Sequence, residues 1–214
     1  MRTMLTLAAL AAMSLPLSAQ MRDDPDNKVA GGGTLPSGWH MRLDRPNAAA
    51  ADVKLVTMGP GLHATLGPSG IFWQNSNTAS GSYHAVATFT RTKAPQHPEA
   101  YGLFVGGKDL EGADQSYVYF LVRGDGSYLI KRRTGTTTAN ISEGWTKSEA
   151  ATTADEAGKA TDRLEILVQN GKTTFSINGT AVYSAELGNL DGITGLWVNH
   201  NLDVHIAGFG LHAM

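Results

Sequence analysis

The sequence predicts an all-β protein, a two-sheet antiparallel jelly-roll sandwich. Three observations carry this. The stretch 163–184, RLEILVQNGKTTFSINGTAVYS, holds two Asn-Gly pairs, Asn170-Gly171 and Asn178-Gly179. Asn-Gly favours a two-residue hairpin turn because both central residues take positive φ. With both turns closed, apolar and polar residues separate by side. Leu164, Ile166, Val168, Phe175, Ile177 and Val182 fall on one face, and Glu165, Gln169, Thr174, Ser176 and Tyr183 on the other. Finally, about a dozen short apolar runs are spaced by Gly-, Pro- and Asn-rich turns with almost no helical periodicity. A sheet with one dry face needs a second layer, which makes a sandwich.

Taken in order, residues 1–19 read as a secretory signal. Arg2 gives the positive start, residues 5–15 an apolar run too short to span a bilayer, and Leu17-Ser18-Ala19 a small-residue cut site. The expected location is therefore secreted or periplasmic, and no other run is long enough for a membrane anchor. Residues 20–38, with DDPDNK, GGG and LPSG, read as a flexible lead-in, and 39–214 as one domain. Strands follow at 53–58 and 62–66 around Gly59-Pro60-Gly61, then from Ile71-Phe72-Trp73 after a Gly-Pro-Ser-Gly turn. Residues 83–91 alternate, with Tyr83, Ala85, Ala87 and Phe89 on one side. A proline-containing loop (93–99) leads to a glycine-thinned strand at 101–106 and a polar loop at 107–115.

The next hairpin joins 116–123 to 128–133 through Gly124-Asp125-Gly126-Ser127. Centring the turn on Asp125-Gly126 pairs Arg123 with Tyr128, Leu121 with Ile130 and Tyr119 with Arg132. Val118, Phe120, Val122 and Leu129 then form the core face, and Tyr117, Tyr119, Arg123, Tyr128 and Arg132 project outward. Residues 134–148 are turn-rich, with Trp145 read as a core plug or a residue at a loop rim. Residues 149–159 are Ala-rich and are expected to give the only helical turn or two. Strands at 193–199 and 204–211 close the chain.

Composition narrows the function. Lys and Arg total 17 against 19 Asp and Glu, so there is no electrostatic footprint for nucleic acid. No cysteine is present, which removes disulfides, thiolate metal sites and thiol nucleophiles. The segments YGLFVGGKDL (101–110), QSYVYFLVRGDGSYLIKRR (115–133), FSINGTAVYS (175–184) and DGITGLWVNHNLDVHIAGFGL (191–211) resemble the concanavalin A-like lectin/glucanase superfamily. The resemblance is closest to its laminin-G-like and 3-keto-disaccharide hydrolase-like branches. It implies a jelly roll that serves as a lectin, a hydrolase or an interaction module. The Glu-x-Asp-x-x-Glu run of the glucanase branch is absent, so no catalytic residue carries over.

Hydrolysis of a glycoside needs two carboxyl groups about 5–10 Å apart. Asp109, Glu111 and Asp114, Asp162 and Glu165, and Asp191 and Asp203 are the candidates, and none has a diagnostic spacing. Asn199-His200-Asn201-Leu202-Asp203 alternates polar side chains that suit Ca²⁺, but its oxygen ligands are too few, and no cofactor is expected. The leading expectation is a carbohydrate ligand, neutral or weakly acidic. Sugars lay C–H faces on aromatic rings and hydrogen-bond through Arg, Asn and Asp. Tyr119, Arg123, Tyr128, Arg132, Trp197 and Asn199 supply that chemistry on the expected outer face. A glycoside-acting hydrolase and a protein-interaction module are the alternatives.

Overall fold

The structure is a computed structural model and describes residues 24–214; the signal expected over residues 1–19 lies outside the described residues. The chain opens with β1 (Trp39–Leu43), a 3₁₀ turn at Ala50–Asp52, and the strands β2 (Val53–Met58), β3 (Gly61–Leu66), β4 (Gly70–Ala79) and β5 (Tyr83–Arg91). It continues through β6 (Ala100–Lys108), β7 (Ser116–Arg123), β8 (Ser127–Thr134), β9 (Thr137–Asn140) and β10 (Thr146–Lys147). It ends with β11 (Ala160–Gln169), β12 (Lys172–Ile177), β13 (Thr180–Glu186), β14 (Gly192–Val198) and β15 (Asp203–Ala213). One sheet has the order β1-β4-β14-β6-β7-β8-β10, with β9 also on β8; the other runs β13-β12-β11-β5-β15-β3-β2. All pairings are antiparallel, and the two sheets face one another as a jelly-roll sandwich.

The first Asn-Gly turn sets the expected register. Leu164 pairs with Ile177, Ile166 with Phe175 and Val168 with Thr173, and Asn170 and Gly171 both take positive φ. Asn178 and Gly179 do the same at the second turn, but the register beyond it departs from expectation. A bulge between Phe175 and Ser176 puts Tyr183, not Val182, opposite Phe175. Tyr183 therefore packs toward the core, and its hydroxyl donates to the Ile141 carbonyl at 2.8 Å. Gly179 has φ 83° and open space where a side chain would stand. A Gly179→Val change should thus act through backbone strain alone, costing about 1–3 kcal/mol in urea unfolding. An unchanged midpoint would contradict the positive φ.

The hairpin of β7 and β8 corrects a second expectation. Its loop is three residues, Gly124 to Gly126, closed by the Arg123–Ser127 pair, so Val122 pairs with Tyr128, Phe120 with Ile130 and Val118 with Arg132. One residue of loop length turns every β8 side chain to the opposite face. Tyr128, Ile130 and Arg132 face inward with Phe120, and Leu129, Lys131 and Arg133 face outward. The expected helical turn at 149–159 is also absent. That segment is a series of turns, one of them held by the Asp155 carboxylate on the Lys159 amide at 2.8 Å. The part of the lead-in that is described is not loose: Gly33 N–H donates to the Val53 carbonyl at 2.8 Å, and Asn27 N–H to the Asn201 side chain at 2.7 Å.

The main core lies between the sheets and includes Phe72, Phe89, Tyr101, Phe120 and Phe175. A second apolar layer covers the outer face of the eight-stranded sheet and includes Trp73, Phe104, Tyr117, Tyr119 and Trp197. Strands β6 and β7 are consequently buried on both faces. Their near-continuous apolar sequences, AYGLFVGG and YVYFLV, suit that position. Among the described residues no helix is long and apolar enough to cross a membrane.

Candidate functional site

Four of the six expected site residues share the outer side of the eight-stranded sheet. Tyr119 stacks on Trp197 with ring centroids 5.8 Å apart. Asn199 follows β14, with its amide on the Ala100 carbonyl at 2.9 Å, and Ala100 pairs with Arg123. Tyr128 and Arg132 are not there. The Tyr128 hydroxyl donates to the Val182 carbonyl at 3.1 Å across the sandwich, and Arg132 reaches the Leu187 carbonyl at 3.3 Å. The off-by-one loop accounts for both.

Most of the outer aromatics are roofed. Asp44, just after β1, lies 3.6 Å from Arg133 of β8, although those strands stand first and sixth in the sheet. Five flat strand spacings would put them about 24 Å apart, so the sheet must roll toward its outer side. Arg42 of β1 donates to the Leu110 and Gly112 carbonyls of the β6–β7 loop, and Leu110 plugs the aromatic layer. Beneath this roof Tyr117 and Tyr119 are almost fully buried. Burial pushes both hydroxyls up to about 12, with Arg133 opposing. The Asp44 carboxyl is also raised, by burial that outweighs Arg133, Arg42 and Arg45. A cleft of about 570 Å³ adjoins it, lined among others by Arg42, Asp44, Arg45, Gln115 and Arg133.

The accessible chemistry on this side lies at the hairpin-loop end. Trp145 is 38% exposed, which overturns its reading as a core plug. The Arg123 guanidinium lies 4.2 Å from the centre of its ring, a cation–π contact that fixes the indole. Asp125 binds Arg123 at 2.9 Å and Lys147 at 3.3 Å. Burial works to raise the Asp125 carboxyl, but hydrogen bonds from Arg123, Ser127 and Lys147 and the Arg123 charge hold it below the usual range. Beside this group is an open hollow of about 600 Å³, lined by Asp125, Lys147, Ser148, Glu149, Thr152 and Thr153 among others. A lone Trp within a polar, turn-rich stretch was the available signal for Trp145, since such a stretch contributes few core positions.

Several of the other expected acids are engaged within the fold, while Glu111 is exposed beside His40. Asp109 accepts the Asp114 amide at 3.0 Å, and Asp191 the Gly81 amide at 2.8 Å. Asp162 is fully buried. Glu165 lies on the outer face of the seven-stranded sheet, paired with Arg163 and 3.7 Å from His84. Asp203 binds Thr65, Thr92 and His63 and turns away from the run 199–203 that was weighed for Ca²⁺. From that run His200 instead meets Glu99, at 2.8 Å.

No protein-family model and no curated protein matches the sequence. Solved structures do match in fold. A carbohydrate-binding module, CBM66, from Bacillus subtilis is similar over 82% of this chain and 96% of its own, with TM-score 0.60 and 13% identity. A Bacillus subtilis protein of unknown function with a galectin-like fold gives TM-score 0.59 at 14% identity, over 81% and 88% of the two chains. An alginate lyase gives TM-score 0.55 at 13% identity, over 82% and 95%. Sheet order, double-layered packing and these likenesses together give the chain the concanavalin A-like jelly-roll fold.

Proposed function

We propose that the chain binds carbohydrate at the hairpin-loop end of the eight-stranded sheet, on Trp145 with Arg123, Asp125 and Lys147 as polar partners. The carrying observation is the half-exposed, arginine-pinned Trp145 beside a hollow lined with hydroxyl and charged groups. An indole face accepts the C–H side of a pyranose, and the surrounding donors and acceptors orient its hydroxyls. Arg123 and Lys147 stand around Asp125, with Glu149 also on the hollow's wall, a balance that suits a neutral or weakly acidic saccharide. Tyr119 and Trp197 act as the rigid floor rather than as contacts, and Asn199 is held by Glu99. Folds shared with a carbohydrate-binding module and an alginate lyase support a saccharide ligand.

Binding fits the geometry better than hydrolysis. Among the described residues Asp44 is the one carboxylate lining the roofed cleft. Of the two acids lining the hollow beside Trp145, Asp125 is taken up by Arg123 and Lys147, which leaves Glu149 alone, whereas a glycosidase needs two free carboxyl groups. A protein-interaction module needs a broad apolar patch, yet among the described residues the exposed large apolar side chains are the scattered Met58, Trp145 and Met214. The test is affinity electrophoresis through gels containing neutral or uronate-bearing polysaccharides. The parent chain should be retarded in at least one gel, and Trp145→Ala should weaken retention about tenfold or more. Its melting temperature should barely move, because Trp145 belongs to neither apolar layer. Retention that survives Trp145→Ala, or no retention on any polysaccharide, would refute the proposal.

A further inference from the structure

Three groups from distant parts of the chain converge beside the loop end. Asp24 comes from the amino-terminal arm, Glu99 from the β5–β6 loop and His200 from the β14–β15 loop, and one ligand atom from each lies within 4.8 Å of the other two. Glu99 Oε1 is 2.8 Å from His200 Nε2, and Asp24 Oδ2 is 3.8 Å from it. The Asp24 side chain is 6% exposed, and its Oδ2 is buried without a hydrogen-bond partner.

What distinguishes the cluster from an ordinary ion pair is how the remaining atoms are used. Asn199 donates to Glu99 Oε2, the oxygen not aimed at the cluster. Asn201 donates to Asp24 Oδ1 at 2.9 Å, again the outer oxygen. The other ring nitrogen of His200, Nδ1, lies 3.4 Å from Asp26 Oδ1. Asn199 and Asn201 thus orient the two carboxylates, Asp26 stands behind His200, and the remaining atoms, Glu99 Oε1, Asp24 Oδ2 and His200 Nε2, face one another. A carboxylate behind a histidine is the usual support of a metal-bound imidazole. Three carboxylates, Asp24, Asp26 and Glu99, gather here against one guanidinium, Arg45, which pairs with Asp26, and a divalent cation would answer that excess.

We infer that Asp24, Glu99 and His200 form a site for a divalent transition-metal ion of the zinc type, which fastens the amino-terminal arm to the sandwich. Imidazole nitrogen with two carboxylate oxygens suits such an ion better than Ca²⁺, which takes six or more oxygens. Bonds of about 2.0–2.1 Å imply ligand–ligand edges of about 3.3 Å, so the observed separations need only small side-chain shifts. His97 Nε2, 4.0 Å from Asp24 Oδ2, or a water would complete the tetrahedron.

The test is calorimetric titration of the chelator-treated chain with Zn²⁺, and separately with Ca²⁺. One Zn²⁺ per chain should bind with Kd below about 10 µM. Glu99→Gln and Asp24→Asn should each weaken it by about tenfold or more, and Asp26→Asn, which removes the carboxylate behind His200 but no proposed ligand, by about 10–100-fold. Metal-free melting curves of the three variants check that the sandwich is intact. Absence of Zn²⁺ binding, equal binding by a well-folded Glu99→Gln variant, or tighter binding of Ca²⁺ than of Zn²⁺ would overturn the assignment.

Discussion

Gly102→Ala is expected to lower stability by about 3 kcal/mol, as a drop in the urea midpoint at unchanged slope. Gly102 sits mid-strand in β6, between Leu121 of β7 and Trp197 of β14. A methyl group there would stand 1.9 Å from the Phe120 carbonyl oxygen and 3.0 Å from the Leu121 Cα. These are backbone atoms and cannot rotate aside. Retreat of β7 within the sheet is blocked by β8, hydrogen-bonded along its other edge, and tilting out of the sheet by the main core on one face and the Tyr117–Tyr119–Trp197 layer on the other. A loss smaller than about 0.5 kcal/mol, the range of neutral surface changes, would mean that the two strands are not this close.

Asp162→Ala should cost a comparable amount, about 3 kcal/mol. The carboxylate is fully buried at the start of β11. Its Oδ1 accepts the Thr152 amide at 2.8 Å and the Asn178 side-chain amide at 3.1 Å, and its Oδ2 accepts the Tyr101 hydroxyl at 3.4 Å. Truncation strands the buried Tyr101 hydroxyl and removes the acceptor of the partly buried Thr152 and Asn178 donors. Asp162→Asn, which keeps the volume and one acceptor, should lose distinctly less. For a domain of this size, 3 kcal/mol corresponds to roughly 6–12 °C in a thermal melt. Identical melts for parent and Asp162→Ala would show that the network contributes nothing.

Asp162 also illustrates how far the sequence could be read. The Asn178-Gly179 pair announces its turn, because φ of 51° and 83° needs those residue types. Nothing local announces that the Asn178 side chain also reaches a carboxylate 16 positions earlier. The first Asn-Gly register was legible because loop length and apolar pattern agree. At the β7–β8 hairpin both Gly-Asp-Gly-Ser closures satisfy turn chemistry, and the choice between them decides where Tyr128 and Arg132 point. The burial of Tyr117 and Tyr119 was legible in principle. SYVYFLVR is apolar or aromatic at every interior position, the pattern of a strand covered on both faces. Asp24, Glu99 and His200 carry no spacing motif, since only the topology of the two sheets brings an amino-terminal arm to the β14–β15 loop.

The bulge that moved Tyr183 opposite Phe175 has a colloidal consequence. β13 is a terminal strand of its sheet, and its outer backbone groups would be a template for a second chain. An inserted residue breaks the even ladder and adds local twist, and Glu186 places a carboxylate at the strand's end. A neighbouring molecule that tried to extend the sheet there would meet a mismatched row of donors and acceptors and a charge to desolvate. The same irregularity that spoils a simple reading of register makes this edge a poor template for a second copy of the chain.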